Sequence, residues 1–193
     1  MCDSLGMMDV LILTGGAFRL SNHLSVPASF ERWERIDGVI YDMSPSPSSE
    51  HQAILVNLVR EISTYLKGKT CKLFTSPYAV YLNRDESGDY VIPDITIVCD
   101  PNKIQHKGCV GVPDMVIEIL SPSTAYKDKT IKLKAYRNAG VREYWIVDPY
   151  NQFVEVYLFA DGNNSFPMVY NKDETIPVSI FGELDIVMDD IFE

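Results

Sequence analysis

Several residue types are scarce in this 193-residue chain, and each scarcity excludes something. Histidine occurs 3 times, tryptophan 2 times and cysteine 4 times. The cysteines (Cys2, Cys71, Cys99, Cys109) form no C-x-x-C pair. With so few histidines beside them, neither a structural zinc site nor a disulfide framework is expected. The longest apolar run near the N-terminus, Val10 to Leu13, falls far short of the roughly 20 residues that cross a bilayer. No cationic stretch precedes it, since the first basic residue is Arg19, so a secretory signal is not expected either. A soluble, cytoplasmic chain with no membrane partner is the expectation. Positive charge is also short: 17 Lys and Arg face 27 Asp and Glu, giving a formal net charge of -10 and a pI near 4.7. That balance argues against holding nucleic acid through the overall field. It leaves room for a local basic patch, or for an acidic pocket around a divalent metal.

What is present suits an ordinary globular domain. Hydrophobic residues make up 46% and charged residues 23%, enough to bury a core. Residues 1–25 fit the rest poorly. Leu13-Thr14-Gly15-Gly16-Ala17 looks like a glycine-rich turn but lacks both the G-x-G-x-x-G spacing and a Walker lysine. We read 1–25 as a leader and 26–193 as a single domain, without internal repeats.

Regular patterning begins near Glu31. Asp37-Gly38 sits between two β-prone stretches, a hairpin signal. After a Ser/Pro loop, Ile54, Leu55, Leu58, Val59, Ile62 and Leu66 recur at helical period, with Ser49 and Gln52 at capping-box spacing and Gly68 as the stop. Strands are predicted within Lys72 to Leu82, over Tyr90 to Cys99 and over Asp114 to Leu120. A helix from about Lys127 to Asn138 and a strand over Glu143 to Val147 follow. Further strands are predicted at Phe153 to Phe159, Met168 to Tyr170 and Ile176 to Ile180. The order from 49 to 148 is helix, three strands, helix, strand. That makes an α/β fold with additional strands at both ends.

Two carboxylates stand out by position. Asp94 follows Pro93 inside an apolar strand, and Glu118 lies between Ile117 and Ile119 in the next. An ionised buried carboxylate costs several kcal/mol unless it is paired or binds a metal. Two adjacent strands each bringing an acid to one sheet end supply oxygen ligands for a divalent ion. The alternative is a pair of strand-end acids hydrogen-bonded to nearby N–H groups or arginines. In the following helix Asp128, Lys132 and Tyr136 are spaced i, i+4, i+8 on one face, while Lys134 faces elsewhere. Lys132 then reaches the site, or it forms a surface ion pair with Asp128 as helix cap. Between Tyr126 and Arg142 there are 6 basic residues against Asp128 alone, a local charge of +5. Such a patch suits phosphate contacts, with Lys127, Lys129 and Arg137 as candidates, or it is a solvated face.

Together these words resemble the Uma-two family of the PD-(D/E)XK restriction-endonuclease-like superfamily. The resemblance runs through Glu34-Arg35-Ile36-Asp37-Gly38, Met43-Ser44-Pro45 with His51-Gln52, and Pro93-Asp94. It continues in Val116-Ile117-Glu118-Ile119-Leu120-Ser121-Pro122-Ser123-Thr124, Asp128 with Lys132-Leu133 and Tyr136, and Gly140-Val141-Arg142-Glu143-Tyr144-Trp145-Ile146-Val147-Asp148-Pro149. The resemblance implies an endonuclease-like core, α-β-β-β-α-β, whose mixed sheet is flanked by helices. It also implies a nuclease site holding Mg2+ (or Mn2+) on Asp94 and Glu118. Leu120 stands where the superfamily's usual lysine would be, and Lys132 matches the family's migrated one. Asp128 and Tyr136 would support that lysine, and Glu34 and His51 fall on further family positions.

The first functional expectation is a magnesium-dependent endonuclease hydrolysing phosphodiester bonds in DNA. The second is a nuclease-fold module that binds nucleic acid or a protein partner without cleaving. The third is a structural homodimer joined through the strands after Tyr150.

Overall fold

A six-stranded sheet carries the fold, and its central strands are those whose sequence is apolar on both sides. The computed structural model describes residues 12–13, 17–19, 33–43, 46–86, 88–159 and 166–193. Most of the expected 1–25 leader, and the glycine-rich turn at 14–16, lies outside the described residues. Its two described pieces, β1 (Ile12–Leu13) and β2 (Ala17–Arg19), are paired strands, and β2 adds to the hairpin of β3 (Trp33–Ile36) and β4 (Val39–Asp42). The hairpin turn is the one expected. Asp37 and Gly38 both take positive φ (51° and 72°), the combination a two-residue I′ turn requires.

Helix α1 (Ser49–Leu66) begins one residue earlier than the capping-box spacing indicates. Ser48 is the cap: its extended backbone (φ -72°, ψ 164°) lets Oγ accept from the His51 N–H at 3.1 Å. Ile54, Leu58, Ile62 and Leu66 then form one buried stripe.

The expected strand within 72–82 divides. β5 (Lys72–Thr75) joins the main sheet. β6 (Val80–Tyr81) leaves it for a small sheet with β8 (Ile104–Gln105) and β9 (Gly108–Val110). Pro77 between them has no N–H for the ladder. The next predicted strand shortens to β7 (Ile95–Val98) because Pro93 interrupts it, and Tyr90 and Val91 make single bridges to Arg35 and Val80 instead. β10 (Met115–Ile119) and β11 (Glu143–Asp148) pair in parallel; β12 (Phe153–Leu158) and β13 (Met168–Asn171) continue antiparallel. The order β13-β12-β11-β10-β7-β5 is therefore a mixed sheet, and α1, β5, β7, β10, the second helix and β11 give the expected helix, three strands, helix, strand.

The second helix holds a surprise. Lys127–Lys132 is wound with wide, π-helical turns, and only Leu133–Ala139 (α2) is α-helical. The Leu133 N–H reaches the carbonyl of Asp128, five residues back. Gly140 (φ 89°) closes α2 in the left-handed conformation. Toward the C-terminus, the expected strand at 176–180 is reduced to β14 (Thr175–Pro177), which pairs with β15 (Asp185–Val187).

Side chains alternate cleanly along β10. Met115, Ile117 and Ile119 face α1 and join Ile95, Ile97, Trp145 and the α1 stripe in one core. Val116 and Leu120 face the other side with Tyr136, Tyr144 and Ile146. One expectation is overturned: Cys71 and Cys99 form a disulfide. The pairing Lys72↔Val98 sets these cysteines opposite one another at the ends of β5 and β7. That proximity depends on register, which cysteine spacing does not reveal. Cys109 is buried and free. No helix among the described residues is long and apolar enough to cross a membrane.

Candidate active site

Strand direction brings the two acids together. β10 runs parallel to β11 and antiparallel to β7, with Ile117 opposite Ile95. The next pair in that register is Glu118 and Asp94, at one end of these two central strands. Asp94 Oδ2 accepts from the Ile119 N–H at 2.8 Å and lies 3.2 Å from His51 Nε2. His51 stands in the first turn of α1, where Ser48 fixes its backbone. Desolvation works against a charged imidazole there, but the hydrogen bond and charge of Asp94 outweigh it and raise the His51 pKa above 6.5.

Behind Glu118 lies a buried ionic network. Glu118 Oε1 accepts from Lys132 Nζ at 2.8 Å and from the Tyr136 hydroxyl at 2.7 Å. Lys132 Nζ is also 2.7 Å from Glu34 Oε1 and 3.5 Å from Asp128 Oδ1. The Ile92 N–H donates to Glu34 Oε1 at 2.9 Å, and Lys127 Nζ donates to Glu34 Oε2 at 2.6 Å. The Tyr144 hydroxyl donates to the carbonyl of Asp128 at 3.1 Å. Glu34, Glu118, Asp128, Lys127 and Lys132 are all buried.

Three carboxyls thus share two ammonium groups, and the titration directions follow. Burial is the largest influence on Glu118 and pushes its carboxyl up; Lys132 opposes this, while Asp128, Asp94 and Glu34 reinforce it. Asp128 is likewise raised, by burial first. For Glu34 burial again pushes upward, but Lys132 and Lys127 together hold the carboxyl below its ordinary value. Burial disfavours the Lys132 ammonium, yet Glu118, Glu34 and Asp128 outweigh it and raise that pKa well above the usual lysine range.

The network backs onto a cleft of about 690 Å3 lined by Asp94, Glu118, His51, Ser121, Thr124 and Tyr150, among others. Whether a divalent ion suits it depends on which oxygens are occupied. Both hydrogen bonds to Asp94 fall on Oδ2, and both to Glu118 fall on Oε1. Among the described residues nothing engages the second oxygen of either acid. No group of three or more His, Cys, Asp or Glu side chains suited to a metal occurs among the described residues. Magnesium does not need one, because it is commonly held by one or two carboxylates with water and substrate phosphate completing its shell. The two acids fit that ion.

Every residue singled out for the chemistry meets here. Asp94, Glu118, Lys132, Asp128, Tyr136, Glu34 and His51 form one connected set. The basic helix is where the reading needs correction. Lys127, expected at a phosphate, is inside the network on Glu34. Lys129 is 2.7 Å from Glu155, Arg142 is 3.4 Å from Asp114, and the Arg137 guanidinium lies 5.4 Å over the Phe159 ring. The local +5 is therefore largely neutralised by neighbours and is not a free basic surface. Lys127 and Lys132 are five residues apart, about 140° on an α-helix, yet both reach Glu34. The wide turns between them make that alignment, and no spacing rule for an α-helix would have found it.

The chain is similar in sequence and fold to known proteins. The profile of the Uma2 family, described as "Putative restriction endonuclease", matches residues 22–189. "Uncharacterized protein slr1290" of Synechocystis sp. is 26% identical over 163 residues, 84% of each chain. "Uncharacterized protein sll1609" of the same organism is 28% identical over 130 residues, covering 66% of this chain and 72% of that one. A crystal structure described as "a putative nuclease belonging to DUF820", from Anabaena variabilis, superposes with a TM-score of 0.68. It has 26% sequence identity, and the match covers 86% of this chain and 93% of the other.

Proposed function

The chain belongs to the Uma2 family, and on that premise we propose that it is a Mg2+- or Mn2+-dependent nuclease hydrolysing phosphodiester bonds in DNA. The observation that carries this reading is the pairing of Asp94 with Glu118 at the end of two central strands, each keeping a carboxylate oxygen for the same cleft. These two side chains would hold the ion. When bound, such an ion lowers the pKa of a water and neutralises charge developing on the phosphate.

The remaining work belongs to this chain's own groups. The Ile119 N–H and His51 fix Asp94 from two directions. Lys132 and Tyr136 grip Glu118 Oε1, which turns the other oxygen toward the cleft. Lys132 has three carboxylate neighbours, so its role here is to position Glu118 and to balance the buried acids. The hydroxyls of Ser121 and Thr124, 3.0 Å apart on the cleft wall, are neutral donors suited to a phosphate oxygen.

The test is incubation of the purified protein with supercoiled plasmid in magnesium or manganese, alongside Asp94→Ala, Glu118→Ala and Lys134→Ala. We expect cleavage in the wild type and in Lys134→Ala, an exposed position on the helix, and loss of at least 100-fold in the other two. That loss corresponds to about 2.7 kcal/mol of barrier. Cleavage that survives Asp94→Ala would remove the assignment. A folded wild type that binds DNA without cutting it would favour the binding module instead.

A further inference from the structure

One exposed side chain on the cleft is explained neither by packing nor by the ionic network. Tyr150 is 92% exposed and lines the same cleft as Asp94 and Glu118. Its position is set by the sheet. β10 and β11 are parallel with Ile119 opposite Val147, so the segments leaving them, Ser121–Thr124 and Asp148–Asn151, emerge side by side. The second segment is held shut. Asp148 Oδ1 accepts from the Asn151 N–H at 3.0 Å and Oδ2 accepts from Asn151 Nδ2 at 3.0 Å, while Pro149 fixes its own φ. A rigid turn therefore holds the Tyr150 ring out at the mouth of the site. A second ring, Tyr126, is 77% exposed between Ala125 and Lys127, both of which line the cleft.

Charge accounting narrows what these rings meet. The cleft lining includes Glu50, Asp94, Glu118, Asp128 and Asp148, and its cations, Lys127 and Lys132, are paired with buried acids. A duplex presents mainly phosphates to a surface, and here they meet few free cations. A single strand also presents the flat faces of its bases, which stack on aromatic rings whatever the sequence and without opposite charge.

We propose that Tyr150 is a stacking platform for an unpaired base, and that the substrate of this site is single-stranded or locally unpaired nucleic acid. This rests on the nuclease reading above. Tyr150 acts as a positioning residue: it holds the strand while the acids address the phosphate.

The experiment measures kcat and KM for a fluorescent oligothymidylate and for a duplex of equal length, with the full chain in magnesium or manganese. Wild type, Tyr150→Ala, Tyr150→Phe and Asp94→Ala are compared. We expect the wild type to prefer the single strand. Tyr150→Ala should raise KM on that substrate about 5- to 150-fold, the span found for losing one stacked base, with kcat within about twofold. Tyr150→Phe should retain the wild-type KM, and duplex kinetics should not change. Asp94-dependent cleavage with a KM indifferent to Tyr150, or with Tyr150→Phe as impaired as Tyr150→Ala, overturns the stacking assignment alone. A wild-type preference for duplex overturns the substrate class. Absence of Asp94-dependent cleavage on either substrate overturns the nuclease reading and this inference with it.

Discussion

The two faces of the main sheet are built by different rules, although one strand supplies both. On the α1 side, β10 contributes Met115, Ile117 and Ile119 to a core of aliphatic and aromatic groups. The buried acid on that side is Glu143 of the neighbouring β11, tied to Trp145 Nε1 at 2.7 Å and to the Ile180 N–H at 2.9 Å. On the α2 side the stripe Val116, Glu118, Leu120 carries an acid at its centre, and Lys132 and Tyr136 close over it. The first face is held by non-directional burial, worth about 1.5–3 kcal/mol per large side chain and tolerant of small adjustments. The second depends on mutual pairing, where losing one member strands the others. Stability is thus spread over one face, while the other concentrates charge where a reaction can use it.

The sharpest way to break this contrast is Lys132→Met. It removes the ammonium that Glu34, Glu118 and Asp128 share, leaving three buried carboxyls with Lys127. We expect about 4 kcal/mol of lost stability by urea denaturation, within the roughly 3–5 kcal/mol typical of orphaning a buried charge. A midpoint that hardly moves would mean both faces follow the same rule. Ile62→Ala, on the α1 stripe, should cost about 3 kcal/mol through transfer and cavity terms. It should leave metal-dependent cleavage intact at a temperature where the protein stays folded. Loss of cleavage there would show that the apolar face also tunes the site. Ser48→Ala removes the α1 cap and should lower stability by about 1 kcal/mol. Because the cap bond holds the His51 N–H, cleavage should fall as well, and a pure stability effect would detach His51 from the function of Asp94.

The smallest expected effect is an acid limb. Glu34 is held below the ordinary glutamate value of 4.5, since Lys132 and Lys127 overcome the upward push of burial. A lowered carboxyl stabilises the fold above its unfolded value, and that contribution is lost as pH falls through the folded one. Glu118 and Asp128 are shifted upward, so their contributions run the other way and are lost as pH rises. The wild-type urea midpoint should therefore decline only gently below pH 4.5. In Lys132→Met, where Glu34 keeps Lys127 alone, the decline should be shallower still, and a steeper one would contradict the pairing.

Much of this was legible in the sequence, for identifiable reasons. The apolar runs at 95–98 and 115–119 mark central strands, because only strands buried on both faces read that way. Asp94 and Glu118 stand out because an acid in such a run needs a reason. The Asp37-Gly38 turn is local chemistry and appears where expected. What stayed hidden depends on register or on helix winding. Cys71 meets Cys99 only through the β5–β7 pairing. Lys127 is expected at a phosphate because it belongs to a run of basic residues, and its place on Glu34 depends on the wide turns between it and Lys132. Tyr150 gave no periodic signal, since its exposure follows from the neighbouring turn.

The wide-turn run at Lys127–Lys132 has a consequence for how this chain tolerates change in length. Relative to an α-helix, such a run behaves like one inserted residue. Deleting a single residue inside it would let the backbone relax to ordinary winding, at little cost to the helix itself. Lys127 and Lys132 would then stand four residues apart, about 40° around an α-helix, and both would still face Glu34. Rewinding the run as a plain α-helix without that deletion would instead set them about 140° apart and turn one lysine away from the buried acid. Residue count and winding thus compensate each other here, and the double clamp on Glu34 survives a one-codon deletion that an ordinary helix would register as a change of face.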